Sequence, residues 1–152
     1  MKSIHFTLIF SFLLSFSLFG QGGASSCAEL AANPEAYQSC ATNIPFSNSV
    51  GQNGENFATS CIGAPFQGPT WFFIKIQNPG SITLQISQTD LAGNGTDVDF
   101  VLWGPFTTLN NVCSQLNTST EVDCSWSAAS VENINIPNSN PGDLYVMLID
   151  NY

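Results

Sequence analysis

Two stretches of this chain do most to limit its fold. Ser81 to Gln88 (SITLQISQ) alternates polar and apolar residues as far as Ser87, and Asp143 to Asp150 (DLYVMLID) is apolar at every position between its two acids. A spacing of two is that of a strand, whose side chains alternate faces. The first stretch is a strand with one wet face, Ile82, Leu84 and Ile86 pointing inward. The second is apolar on both faces and belongs in the middle of a sheet or sandwich. A chain holding both has to stack β-layers, so the fold class expected is all-β.

Other segments fit around these two. Trp71 to Gln77 (WFFIKIQ) puts Phe72, Ile74 and Ile76 on one face, and Asn78-Pro79-Gly80 has the composition of a turn. With Ser81 to Gln88 this predicts a hairpin. Asp97 to Phe106 (DVDFVLWGPF) reads as a strand with Val98, Phe100 and Leu102 on the core face and Asp97, Asp99 and Val101 on the other. Val131 to Ile136 supplies another strand. Near the front, Ser26-Cys27-Ala28-Glu29 fits a capping box, with a short helical turn over Ala28 to Ala32 before Pro34. Phe46 and Phe57 are the expected anchors of the loop-rich stretch between Cys40 and Cys61.

The first 23 residues read as a secretory signal peptide: Met1-Lys2, an apolar run from Ile4 to Phe19, then small residues. With it go Lys2 and His5. The remainder carries one lysine, Lys75, against eleven acids, and neither His nor Arg, so its net charge is about −10. That removes imidazole from any triad or metal site and guanidinium from any phosphate clamp. So acidic a chain repels nucleic acid and anionic lipid. No later run is long enough to span a membrane, so the expectation is a secreted or cell-surface protein without membrane insertion.

Five cysteines in an exported chain imply disulfides. Cys113 and Cys124 bracket a ten-residue polar loop and are expected to pair. Cys27, Cys40 and Cys61 leave one over, and their pairing stays open. A lipoprotein reading would acylate Cys27, although Ala24 stands where such signals prefer a Leu-like side chain. No C-x-x-C spacing points to zinc or redox chemistry.

Trp71 to Tyr152 resembles the bacterial pre-peptidase C-terminal (PPC) domain family. The likeness rests on Trp71-Phe72-Phe73-Ile74, Pro79-Gly80, Ile82 to Ile86, Asp97-Val98-Asp99-Phe100, Val122-Asp123-Cys124 and Gly142 to Ile149. It is similar in particular to a variant from large secreted proteins that end in a type IX secretion sorting domain, through Val98 to Phe106, Val122 to Ser127 and Leu148 to Tyr152. The resemblance implies a jelly-roll-like β-sandwich that continues past Tyr152, hence a chain truncated at its C-terminus. The organisation expected is a signal peptide over 1–23, a cysteine-containing segment of loops and short strands over 24–65, and the sandwich core over 66–152. It also implies a non-catalytic accessory module for adhesion, substrate docking or domain spacing. Its partners would be other domains of the same polypeptide, or an extracellular polysaccharide or matrix protein.

The candidate sites are few. Asp97 and Asp99 share a face, with Asp90 and Asn94 in the preceding loop. These four are the candidate calcium ligands, calcium being a cation that takes oxygen donors; no cofactor is otherwise required. Same-face strand neighbours lie about 7 Å apart, within the range of glycosidase carboxylate pairs, so Asp97 and Asp99 are also the only candidate hydrolase pair. Trp126 and Trp103 are the candidate ligand platform, Trp103 sharing parity with Asp99. The bland alternative is that the acids face water at a strand mouth and the tryptophans fill the core.

Overall fold

The computed structural model describes residues 22–39, 45–48, 55–63 and 65–151. The expected signal peptide up to residue 21, Cys40 and Tyr152 lie outside the described residues.

Alternation makes the strands, and face polarity decides how they pair. The elements are a short helix α1 (Cys27–Ala32) and strands β1 (Thr70–Lys75), β2 (Gly80–Ser87), β3 (Val98–Phe106), β4 (Glu121–Ser125), β5 (Val131–Ser139) and β6 (Leu144–Asn151). They form a four-stranded sheet in the order β1-β6-β3-β4 and a two-stranded sheet β2-β5. All pairs are antiparallel. The fold is an all-β sandwich. The pairings nest as in a rolled-up hairpin, β1 with β6, β2 with β5 and β3 with β4.

The expected β1–β2 hairpin does not form. The two strands are consecutive yet lie in different sheets. β1 is buried at every position from Thr70 to Ile74, whereas β2 hides one face only. A hairpin would put the wet face of β2 beside Trp71 and Phe73. Pairing β2 with β5 instead matches Thr83 to Asn135 and Gln85 to Asn133, polar pairs on a common wet face.

β6, apolar on both faces, sits between β1 and β3 as expected. One face of its sheet packs on β2 and β5 through Phe100, Leu102, Tyr145, Met147, Ile134 and Ile136. The other face is not open to water. Trp71, Phe73, Val101 and Trp103 lie under a layer made of α1, Phe66 and Val112. Trp71 and Trp103 stack at 5.9 Å, and Phe57 meets both edge-on. Such pairs add about 0.5–1.5 kcal/mol each beyond their buried area. Phe46 docks edge-on to Phe72. Both predicted anchors therefore hold the loop-rich stretch, one on each face. α1 begins with Ser26, whose side chain accepts from the Glu29 N–H at 3.1 Å. The Glu29 carboxylate closes onto the Ser25 N–H, one residue further out than a standard box.

The cysteines pair differently from the expectation. Cys27 is bonded to Cys113 and Cys61 to Cys124, with Cα separations of 5.8 and 6.1 Å. The Cys113–Cys124 pairing is overturned. The loop between them is closed by Asn117 and Thr120, whose hydroxyl donates to the Gln115 carbonyl at 2.7 Å. Both cysteines are then available to staple the N-terminal layer to the sheet. Cys27, fully buried in its disulfide, has no thiol to carry an acyl chain. Two disulfides suit an oxidising compartment, and among the described residues no helix is long and apolar enough to cross a membrane.

Gly104 interrupts β3 for a steric reason. Its φ is +145°, and a Cβ there would lie 2.6 Å from the Tyr145 ring and 2.9 Å from the Leu144 carbonyl oxygen. Gly104→Ala is expected to cost about 1–2 kcal/mol, from backbone strain and displacement of a buried ring, read as a lower urea midpoint with unchanged slope.

Candidate functional site: buried acids at one end of the sandwich

The sequence places Asp97 and Asp99 on the solvent side of β3. The structure corrects this for Asp99. Because β3 is central and covered on both faces, the Asp99 side chain is sealed, at 0% exposure. Its register partner across β6 is Asp150, equally buried. Two carboxyl groups thus face the same covered layer on adjacent strands.

Their environments differ. Asp150 accepts from the backbone N–H groups of Gly68 at 2.7 Å and Gln67 at 3.0 Å, on the loop that leads into β1. Neither carboxyl oxygen of Asp99 has a hydrogen-bond partner among the described residues. Burial pushes the Asp99 carboxyl up to about 7, helped by the charges of Asp97, Asp150 and Glu132. Burial also raises Asp150, but its backbone N–H partners pull the other way. Burial without a hydrogen-bond donor therefore favours the protonated form of Asp99.

Half-buried Asp97 leads into the strand. Gln88, at the end of β2, donates through Nε2 to the Asp97 carbonyl at 2.8 Å, to Thr96 Oγ1 at 3.1 Å and to Asn151 Oδ1 at 2.6 Å. It ties the β2–β3 loop to the end of β6. Gln88 Oε1 and Asp97 Oδ1 are buried without partners among the described residues.

The four candidate calcium ligands do not sit in one environment. Asp90 accepts from the N–H groups of Ala92 and Asn94 and from the Asn94 side chain, at 2.8 to 2.9 Å. Those bonds, the Asn94 side chain first, hold its carboxyl below the usual range. Asp90 and Asn94 therefore build an exposed turn, while Asp99 lies under the N-terminal layer. Among the described residues no three His, Cys, Asp or Glu side chains gather in an arrangement fit to hold a metal.

Of the two platform tryptophans, Trp103 is fully buried on Trp71 and is corrected to a core residue. An indole on the covered face of a central strand has nowhere to present itself. Trp126, just past β4, is 62% exposed.

Sequence reasoning missed Asp150, Gln88 and Glu132. A signal for Asp150 was present. It closes a strand apolar on both faces, in step with Val146 and Leu148, so its side chain was bound to lie on a buried face. Its partner could be known only from the β3–β6 register.

No family model, no curated protein and no solved structure matches this chain.

Proposed function

We propose that this chain is a non-catalytic accessory module of a larger exported protein, serving adhesion, substrate docking or domain spacing, as its resemblance to PPC domains implies. The observation that best supports this is the sealing of Asp99. Acid–base work on a substrate needs a carboxyl within hydrogen-bond reach of the reacting atom. The strongly raised acid of this fold lies under a full layer of protein, and its partner Asp150 is engaged with backbone N–H groups. Staples across long stretches of chain suit a module that must persist outside the cell.

The calcium-dependent glycan- or matrix-binding version has one observation in its favour. The oxygens of Asp99, Asp97 and Gln88 that lack a partner among the described residues are all acceptors once Asp99 is ionised, and a hard cation is satisfied by acceptors alone. Asp90 and Asn94 fall outside such a set, being turned onto each other.

One set of assays separates the readings. The purified oxidised protein is mixed with insoluble cellulose, chitin and fibrillar matrix protein, with millimolar calcium or with chelator. Adsorption without release of sugar or peptide is expected. Adsorption and melting temperature that both rise with calcium, and fail to do so in Asp99→Asn, would establish the calcium form. Hydrolysis abolished by Asp97→Asn would overturn the non-catalytic reading.

A further inference from the structure

Three large hydrophobic side chains are exposed among the described residues: Leu91 at 111%, Trp126 at 62% and Val131 at 46%. Single exposed apolar residues are ordinary on any surface. These three share one end of the sandwich. Leu91 is in the β2–β3 loop, Trp126 opens the β4–β5 loop, and Val131 is the first residue of β5. The two loops touch. The Gln88 N–H donates to the Ser130 carbonyl at 2.9 Å, and the Val98 N–H to the Ala129 carbonyl at 3.1 Å. Gly95 lies so close to Ser130 that a Cβ there would come within 2.5 Å of the hydroxyl.

The same end is acidic. Asp90 and Asp97 belong to the first loop and Glu132 to the start of β5, with Asp99 and Asp150 just beneath. The one lysine after Lys2, Lys75, pairs in register with Leu144, at the far end of β6 from Asp150. Six residue steps separate those two positions along β6, roughly 20 Å. The loops are also set in advance: three hydrogen bonds onto the Asp90 carboxylate hold the first, and the Ser127 hydroxyl bonds the Glu132 carboxylate in the second. A preformed surface loses little freedom on binding.

We propose that this end, presenting Leu91, Trp126 and Val131 among Asp90, Asp97 and Glu132, is a docking surface for a cationic polypeptide segment that carries apolar side chains. The inference rests on the accessory-module reading and names the partner class for its docking role. Charge selects the partner: the acids attract lysine and arginine and repel an anionic bilayer, while the exposed apolar trio needs matching apolar groups.

The probe is a fluorescein-labelled peptide of alternating Lys and Leu, with a Glu/Leu peptide as control, read by anisotropy at 0.15 M salt. The Lys/Leu peptide is expected to bind and the Glu/Leu peptide not. Leu91→Ser and Trp126→Ser should each weaken binding about tenfold, the loss typical of an apolar or aromatic anchor. Neither side chain supports the fold, so circular dichroism should not change. Glu132→Gln should flatten the salt dependence, and Asp143→Asn, at the opposite end, should change nothing. Equal binding by Leu91→Ser, Trp126→Ser and the unmodified protein would overturn the proposal. So would tighter binding to phosphatidylglycerol or phosphatidylcholine vesicles than to the peptide. If peptide binding fails while adsorption to polymer or matrix persists, this surface is wrong and the accessory-module reading stands; if adsorption fails too, both fall.

Discussion

Removing the Cys27–Cys113 bond by the double substitution Cys27→Ser, Cys113→Ser lowers the unfolding free energy by about 4–5 kcal/mol. The bond closes a loop of 86 residues, and in the chain-entropy account a loop near that length restrains the unfolded chain by roughly this much. For a domain of this size the melting temperature should fall by about 15 °C. The double variant is the right comparison, because a single one leaves a thiol free to attack Cys61–Cys124. Urea unfolding of the oxidised protein measures the loss. Non-reducing peptide mapping checks the pairing independently: a cross-linked fragment joining Cys113 to Cys124 would contradict the structure. That short pairing would also stabilise less, about 2–3 kcal/mol for its loop.

The second large effect is on pH dependence. The folded-state pKa of Asp99 is about 7, raised from an ordinary value of 3.8. The folded protein therefore binds a proton between these values that the unfolded chain has lost. The stability tied to that proton is fully present below the unfolded value and is lost as pH rises through 7. Between pH 5 and pH 8 the loss is about 2–3 kcal/mol. Asp99→Asn removes the titration. In chelator-containing buffer its stability relative to the unmodified protein should rise by that amount across the interval. The amide pays a constant cost at every pH for its own unmet bonds, which cancels in the difference. Parallel pH profiles for the two proteins would show that Asp99 is not sealed as described.

Much of the architecture is legible in the residues. Alternation in Ser81 to Gln88 places the wet face of β2, and the apolar run of β6 places it at the centre of a sheet. Phe46 and Phe57 are recognisable as anchors, and Ser26 as a helix cap. Failures concentrate where the answer depends on what covers a face. Asp99 reads as a solvent-side acid, and Trp103 as a surface aromatic beside it. Both conclusions follow correctly from parity on a one-sided sheet. The four-stranded sheet here is two-sided, because α1 and the loops held by Phe57 and Cys61 lie on the face that the acids and tryptophans share. Cysteine pairing failed for a related reason: closeness along the chain favours Cys113 with Cys124, but the loop between them closes on its own hydrogen bonds.

By itself the sequence determines the strand content, the polarity of each strand face, the supply of cysteines and the absence of Arg and of any His after His5. These are local or compositional properties. Only the tertiary structure decides that β1 leaves β2 to pair with β6, that Asp99 meets Asp150, and that Leu91, Trp126 and Val131 share one acidic end. Each of these joins residues far apart along the chain. Such contacts are set by which apolar faces can be buried together, and residue spacing alone does not encode that choice.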